Sequence, residues 1–147
     1  MYRYVLLLHI LGATVWTGGH LVLALAVLPR VMQERSPAAL RQFESAYEKV
    51  GMPALLLQVA TGLWLAHKLL PDVRAWFAAD DFVARLILFK LSLLAATVLV
   101  AADARLRIIP RLTAQTLPAM ARRIVAVTLL AVLFVATGVT FRVGPLY

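Results

Sequence analysis

Two histidines and a tryptophan lie on one face of the first apolar stretch of the chain. Residues 4–30 read YVLLLHILGATVWTGGHLVLALAVLPR, and a helix at about 100° per residue places Trp16 and His20 within about 20° of His9. Imidazole nitrogens bind copper ions and haem iron. Because titratable groups are costly within a bilayer, these histidines are candidate ligands. The alternative is that they hydrogen-bond to neighbouring helices or lie near the headgroups.

Two further candidates lie at a similar depth on other apolar stretches. At a rise of about 1.5 Å per residue, His9 lies roughly 8 Å, His67 about 5 Å and Lys90 about 10 Å from the same membrane edge. Lys90 could be a ligand, a counter-charge for a carboxylate or propionate, or a proton donor, and its alternative is snorkelling to the surface. The alternative for His67 is an ordinary surface histidine.

The spacing of the two histidines of the first stretch excludes a shared ion. They are eleven residues apart, about 16 Å along a helix, whereas one metal ion needs its ligands at about 2 Å. The sequence therefore predicts two levels. His9, His67, Lys90 and Trp16 are candidates for binding a cofactor, and His9, His20 and His67 are candidate metal ligands. The level of His20 also offers Gln58, Asp103 and Met52.

The composition predicts that these residues belong to a membrane protein. The chain has 147 residues, of which 63% are hydrophobic, against 45–50% in soluble domains. It has no cysteine, which excludes disulfides, iron–sulfur clusters and cysteine nucleophiles. We expect no nucleic-acid partner, because loop arginines explain the net charge of +8. No phosphate-binding loop and no Ser/His/Asp arrangement supports a hydrolase or a nucleotide-driven protein.

Four apolar stretches predict an all-α integral membrane domain, a four-helix bundle over residues 1–147. The spans are expected at about 4–29, 52–70, 83–103 and 121–141. After the first span, Ser36-Pro37 is a typical helix start. The helical spacing of Leu40, Phe43 and Tyr47 then predicts a short amphipathic interfacial helix, and Gly51 and Pro53 are expected to open the second span.

The distribution of positive charge predicts the orientation. The first and third connections hold nine of the fifteen Lys and Arg residues: Arg30, Arg35, Arg41, Lys49, Arg105, Arg107, Arg111, Arg122 and Arg123. The positive-inside rule places these connections in the cytoplasm and both termini outside, in a bacterial-type inner membrane. The lipid bilayer is then the main partner, and a homo-oligomer or a partner subunit could complete the site.

Parts of the chain resemble the copper-resistance CopD family. The resemblance rests on His9-x6-Trp16-x-Gly18-Gly19, on Lys90-Leu91 and on DARLRIIPRL at residues 103–112. It covers nearly all of the chain, and it implies a stand-alone CopD domain that handles or transports copper at the inner membrane. Copper handling is therefore the first functional expectation.

The chain also resembles the HemJ-type protoporphyrinogen oxidases. The matching elements are His9, Trp16, Pro29-Arg30, Met52-Pro53-Ala54, Gly62-Leu63-Trp64-Leu65 and Lys90-Leu91. This resemblance implies a haem b cofactor with His9 as a ligand and Lys90 as a second functional residue. It departs from HemJ late in the third span, where Val100-Ala101-Ala102-Asp103 replaces the usual histidine. A third alternative is a structural membrane subunit.

Overall fold

The computed structural model describes residues 1–144, and this part of the chain is all-α. The helices are α1 (Tyr2–Glu34), α2 (Pro37–Leu69), the short α3 (Ala75–Ala78), α4 (Phe82–Arg111) and α5 (Leu117–Val143). All but α3 are long and apolar enough to cross a membrane. The prediction of an all-α membrane bundle with four spanning helices is confirmed.

One predicted element, the separate interfacial helix, is wrong. Its start is right, because the Ser36 hydroxyl accepts a hydrogen bond from the Ala39 N–H at 3.3 Å and Pro37 takes the first helical position. The helix then continues through Gly51 and Pro53 to Leu69. A proline removes one backbone hydrogen bond, but neighbouring groups can compensate for this loss within a bundle. The amphipathic segment and the second span therefore form one helix.

Two wide helical turns occur shortly before prolines. In α1, the N–H of Leu28 donates to the carbonyl of Leu23, five residues earlier, just before Pro29. In α4, the N–H of Ile109 donates in the same way to Ala104, just before Pro110. Because proline has no N–H, the regular α-helical hydrogen bonding from residue i to residue i−4 is interrupted at the proline. A π-type turn is one way to give the nearby carbonyls a hydrogen-bond donor. Both helices consequently extend beyond the predicted span ends at residues 29 and 103.

The spanning helices are arranged with one open side. The helix α1 packs along both α2 and α5, and α4 packs along α5. Within residues 1–144, α2 and α4 make no comparably extended contact. The bundle is therefore closed on three sides, and the open side lies between α2 and α4.

The largest apolar core lies at the end of the bundle that carries Arg105, Arg107, Arg122 and Arg123. We call this end the arginine-rich end. The most buried members of the core are Val31, Leu40 and Leu117, from α1, α2 and α5. Elsewhere the spanning helices expose many large apolar side chains, including Leu25, Leu56, Leu99 and Leu129. This exposed surface is suited to contact with lipid chains.

Candidate functional site

Two hydrogen bonds join His9 of α1 to α2. Its Nδ1 atom lies 3.0 Å from the backbone carbonyl of Gln58 and 3.0 Å from the hydroxyl oxygen of Thr61. The Thr61 hydroxyl itself donates to the carbonyl of Leu57 at 2.6 Å. Because a carbonyl only accepts, the neutral imidazole must carry its proton on Nδ1. The lone pair is then on Nε2, the arrangement found when a second-shell carbonyl orients a metal-binding histidine.

Glycines allow the close approach of α1 and α2 around this histidine. A Cβ added at Gly62 would lie 3.0 Å from Cε1 of His9, and one at Gly12 would lie 3.1 Å from the carbonyl oxygen of Ala54. Both distances are tighter than ordinary contacts. Small residues permit such packing between membrane helices. The imidazole of His9 is therefore held by hydrogen bonds on one edge and by backbone on another.

The polar groups around His9 are not all paired. The Oε1 atom of Gln58 is buried and has no hydrogen-bond partner within residues 1–144. The other candidate at this depth is Lys90 of α4. Its ammonium lies 5.5 Å from the ring centroid of Phe141 and 3.4 Å from a Cβ built at Gly138. In the described chain, no ion pair or hydrogen bond to a carboxylate neutralises it.

The second histidine lies in an aromatic cluster nearer the arginine-rich end. His20 is 9% exposed, its Nδ1 lies 3.0 Å from the carbonyl of Trp16, and the two ring centroids are 4.3 Å apart. The Tyr47 hydroxyl donates to the same carbonyl at 2.9 Å and lies 3.5 Å from Nδ1 of His20. The Thr128 hydroxyl of α5 lies 3.3 Å from the carbonyl of His20. Three helices thus meet at this level.

Sequence reasoning missed the role of Tyr47, which it treated only as part of an amphipathic pattern. The ring of Tyr47 occupies space left by two glycines. A Cβ at Gly19 would overlap the ring, and one at Gly51 would approach it to 2.9 Å. Gly51 follows Tyr47 by four residues and so shares its helix face, which is the one local signal that could have indicated the contact.

The structure does not bring every candidate to one place. His67 is exposed, and on α2 it lies about 180° around the helix from Gln58 and so faces away from His9. Trp16 packs with His20 and with Val127 of α5 and belongs to the second level. Of the accessory candidates of that level, Met52 is 44% exposed.

Asp103, the other accessory candidate, is held by arginines at the end of the bundle. Its Oδ2 lies 2.6 Å from Nη2 and 2.8 Å from Nε of Arg123, and its Oδ1 lies 3.4 Å from Arg107. A neighbouring ion pair joins Arg105 to Glu48 at 3.0 Å. Asp103 therefore joins α4 to α5 near the arginine-rich end, and no contact places it beside His20 within residues 1–144.

The described residues contain no group of three His, Asp or Glu side chains placed to hold one metal ion. No protein-family model matches the chain, and no curated protein or solved structure matches it. The proposals below therefore rest on the side chains and their surroundings.

Proposed function

We propose that this chain is a membrane haem b protein in which Nε2 of His9 would bind the haem iron. The observation that carries the proposal is the hydrogen bond from Nδ1 of His9 to the Gln58 carbonyl. With the proton on Nδ1, the lone pair of Nε2 is left to bind a metal. Histidine is a usual axial ligand of haem iron, and helical bundles hold haem between facing helices. Bound haem would supply one-electron oxidation and reduction.

The donor set around His9 suits a porphyrin better than a bare metal ion. A porphyrin brings four nitrogen ligands of its own, so the protein needs to add only one or two. A bare copper ion would need several protein ligands, and no such group of three occurs in residues 1–144. The ammonium of Lys90 would also repel a free cation, whereas it would attract the propionates of haem.

The surroundings of His9 also fit this cofactor. In this proposal a planar group would enter the bundle from the open side between α2 and α4. The ammonium of Lys90 would pair with a propionate, whereas the orphaned Oε1 of Gln58 only accepts and would need a hydrogen-bond donor such as water. In this arrangement His9 is the ligand, Lys90 is the counter-charge or second ligand, and His67 has no role.

Absorption spectroscopy of the purified full-length chain, with a pyridine haemochrome assay, tests this proposal. We expect a Soret band that His9→Ala removes. His67→Ala is the matched control, because it also deletes an imidazole but leaves the band unchanged. Lys90→Gln should lower the haem content without removing the band. Colourless protein from haem-replete cells would refute the proposal and favour a structural subunit, and a full band in His9→Ala would refute the assignment of His9 as the ligand.

Copper handling of CopD type is the second candidate, with copper as cargo. The observation that favours it is that His20, like His9, has Nδ1 on a backbone carbonyl. Two imidazoles on one face of α1 could then pass an ion between levels about 16 Å apart. Copper uptake into liposomes that contain the chain tests this candidate. Uptake that does not change in a His9→Ala/His20→Ala double variant would rule it out.

For cellular location we propose a bacterial-type inner membrane with the arginine-rich end in the cytoplasm and both ends of this chain outside. The support is the charge distribution, with nine of fifteen Lys and Arg residues in two connections. Because the chain has no cysteine, single cysteines at Gln115 and Asp80 can be labelled without background. An impermeant maleimide should label Asp80→Cys and not Gln115→Cys in intact cells, and the reverse pattern would invert the orientation.

A further inference from the structure

Two shallow hollows lie side by side on the lipid-facing surface at the arginine-rich end. Their volumes are about 290 and 360 Å³. Leu99 and Asp103 of α4 line both of them. The first hollow continues along α4 to Arg107, and the second crosses to Arg122 and Ala126 of α5. The two hollows therefore form one double hollow that is centred on Leu99 and Asp103.

The rim of the double hollow carries an excess of positive charge. Three arginines, Arg107, Arg122 and Arg123, face one carboxylate, Asp103. Arg123 forms an ion pair with that carboxylate through two contacts shorter than 3 Å. Arg107 makes only a 3.4 Å contact, with its side chain 81% exposed, and Arg122 is exposed and has no ion-pair partner within residues 1–144. Two arginines thus remain available to an anion.

The walls of the double hollow are apolar and lie deeper in the membrane than its rim. Leu99 is one helical turn, about 6 Å, from Asp103 towards the membrane centre, and Ala126 lies about one turn from Arg122 on α5. A charged rim above an apolar wall matches a phospholipid, whose headgroup lies at the interface and whose acyl chains extend into the hydrocarbon.

We propose that the double hollow binds an anionic phospholipid, with its phosphate on Arg107 and Arg122 and its acyl chains against Leu99 and Ala126. Basic pockets beside membrane helices bind anionic headgroups in this way. A zwitterionic lipid carries its own positive charge and gains less from the arginines. The proposal is independent of what binds at His9.

Native mass spectrometry of the full chain in detergent tests the site, with phosphatidylglycerol or phosphatidylcholine added at equal concentration. We expect phosphatidylglycerol to be retained in preference to phosphatidylcholine. Each arginine near a membrane surface contributes about a fivefold change in binding, so Arg107→Gln/Arg122→Gln should weaken phosphatidylglycerol binding about 25-fold. Arg142→Gln removes an exposed arginine at the other end of α5 and should change nothing.

A second variant separates the apolar wall from the charge. Ala126→Leu would fill part of the second hollow and leave the arginines in place, so it should also reduce phosphatidylglycerol retention. Equal retention of the two lipids, equal losses in Arg142→Gln and the double variant, or no effect of Ala126→Leu would each overturn the proposal. Displacement of the lipid by inorganic phosphate at equal concentration would overturn it as well, because it would indicate a site for free phosphate.

Discussion

Adjacent glycines in α1 offer a sharp test of how Tyr47 joins α1 to α2. A Cβ at Gly19 would overlap the ring of Tyr47, whereas a Cβ at Gly18 would meet no atom within 4 Å. The variants Gly18→Ala and Gly19→Ala therefore add the same methyl group to neighbouring positions of one helix. Only the second methyl group requires Tyr47 to move.

The expected effects on the free energy of unfolding have opposite signs. Replacing a helical glycine with alanine gains about 0.5–1 kcal/mol, and Gly18→Ala should show that gain alone. In Gly19→Ala the overlap adds an overpacking cost of about 1–3 kcal/mol. Loss of the hydrogen bond from the Tyr47 hydroxyl adds about 0.5–1.5 kcal/mol. The net destabilisation is then about 0.5–4 kcal/mol.

Unfolding in mixed micelles of mild detergent and sodium dodecyl sulfate measures both variants. A third chain, Gly19→Ala/Tyr47→Ala, is the control for mechanism, because removing the ring also removes the overlap. In the Tyr47→Ala background, Gly19→Ala should no longer destabilise the protein. Equal stability of the two single variants within about 0.5 kcal/mol, a typical limit for independent sites, would refute the contact between Gly19 and Tyr47.

Four other substitutions test single contacts in the same unfolding assay. Tyr47→Phe keeps the ring but loses the hydroxyl bonds to the backbone of α1, and should cost about 0.5–1.5 kcal/mol. Asp103→Asn weakens the pair with Arg123, whose side chains are 29% and 26% exposed, and should cost about 1.5–3 kcal/mol; Glu48→Gln, in a more exposed pair, should cost less than about 1 kcal/mol. Asp81→Ala removes the cap of α4, a 2.8 Å bond to a backbone N–H, and should cost about 1 kcal/mol.

The features that could be predicted are those that depend on neighbours along the chain. Apolar length predicts a spanning helix, because backbone groups must be satisfied within the bilayer. The start of α2 could likewise be predicted, because the Ser36 hydroxyl caps the N–H of Ala39 three residues later. Both effects act within a few turns and leave a pattern in the sequence.

The features that could not be predicted depend on helix packing. Gly51 and Pro53 are typical of a helix boundary, yet α2 runs through both, because Gly51 makes room for the ring of Tyr47 and the bundle tolerates Pro53. Depth along the spans grouped His67 with His9, but depth contains no information on which side of α2 a residue faces. Rotation about a helix axis is set by its neighbours.

The two histidines of α1 look alike in the sequence but differ in the hydrogen bonding of the polar atoms around them. At His20, Nδ1 lies on the Trp16 carbonyl, which also accepts the Tyr47 hydroxyl. Around His9, the Oε1 of Gln58 is buried without a partner in the described chain. An unsatisfied buried polar atom costs about 1–3 kcal/mol, and in a native protein such an atom indicates a bound water, an ion or a functional role. The unpaired oxygen of Gln58 therefore favours the proposed ligand at His9. The contacts of His20 and Tyr47 instead hold α1, α2 and α5 together.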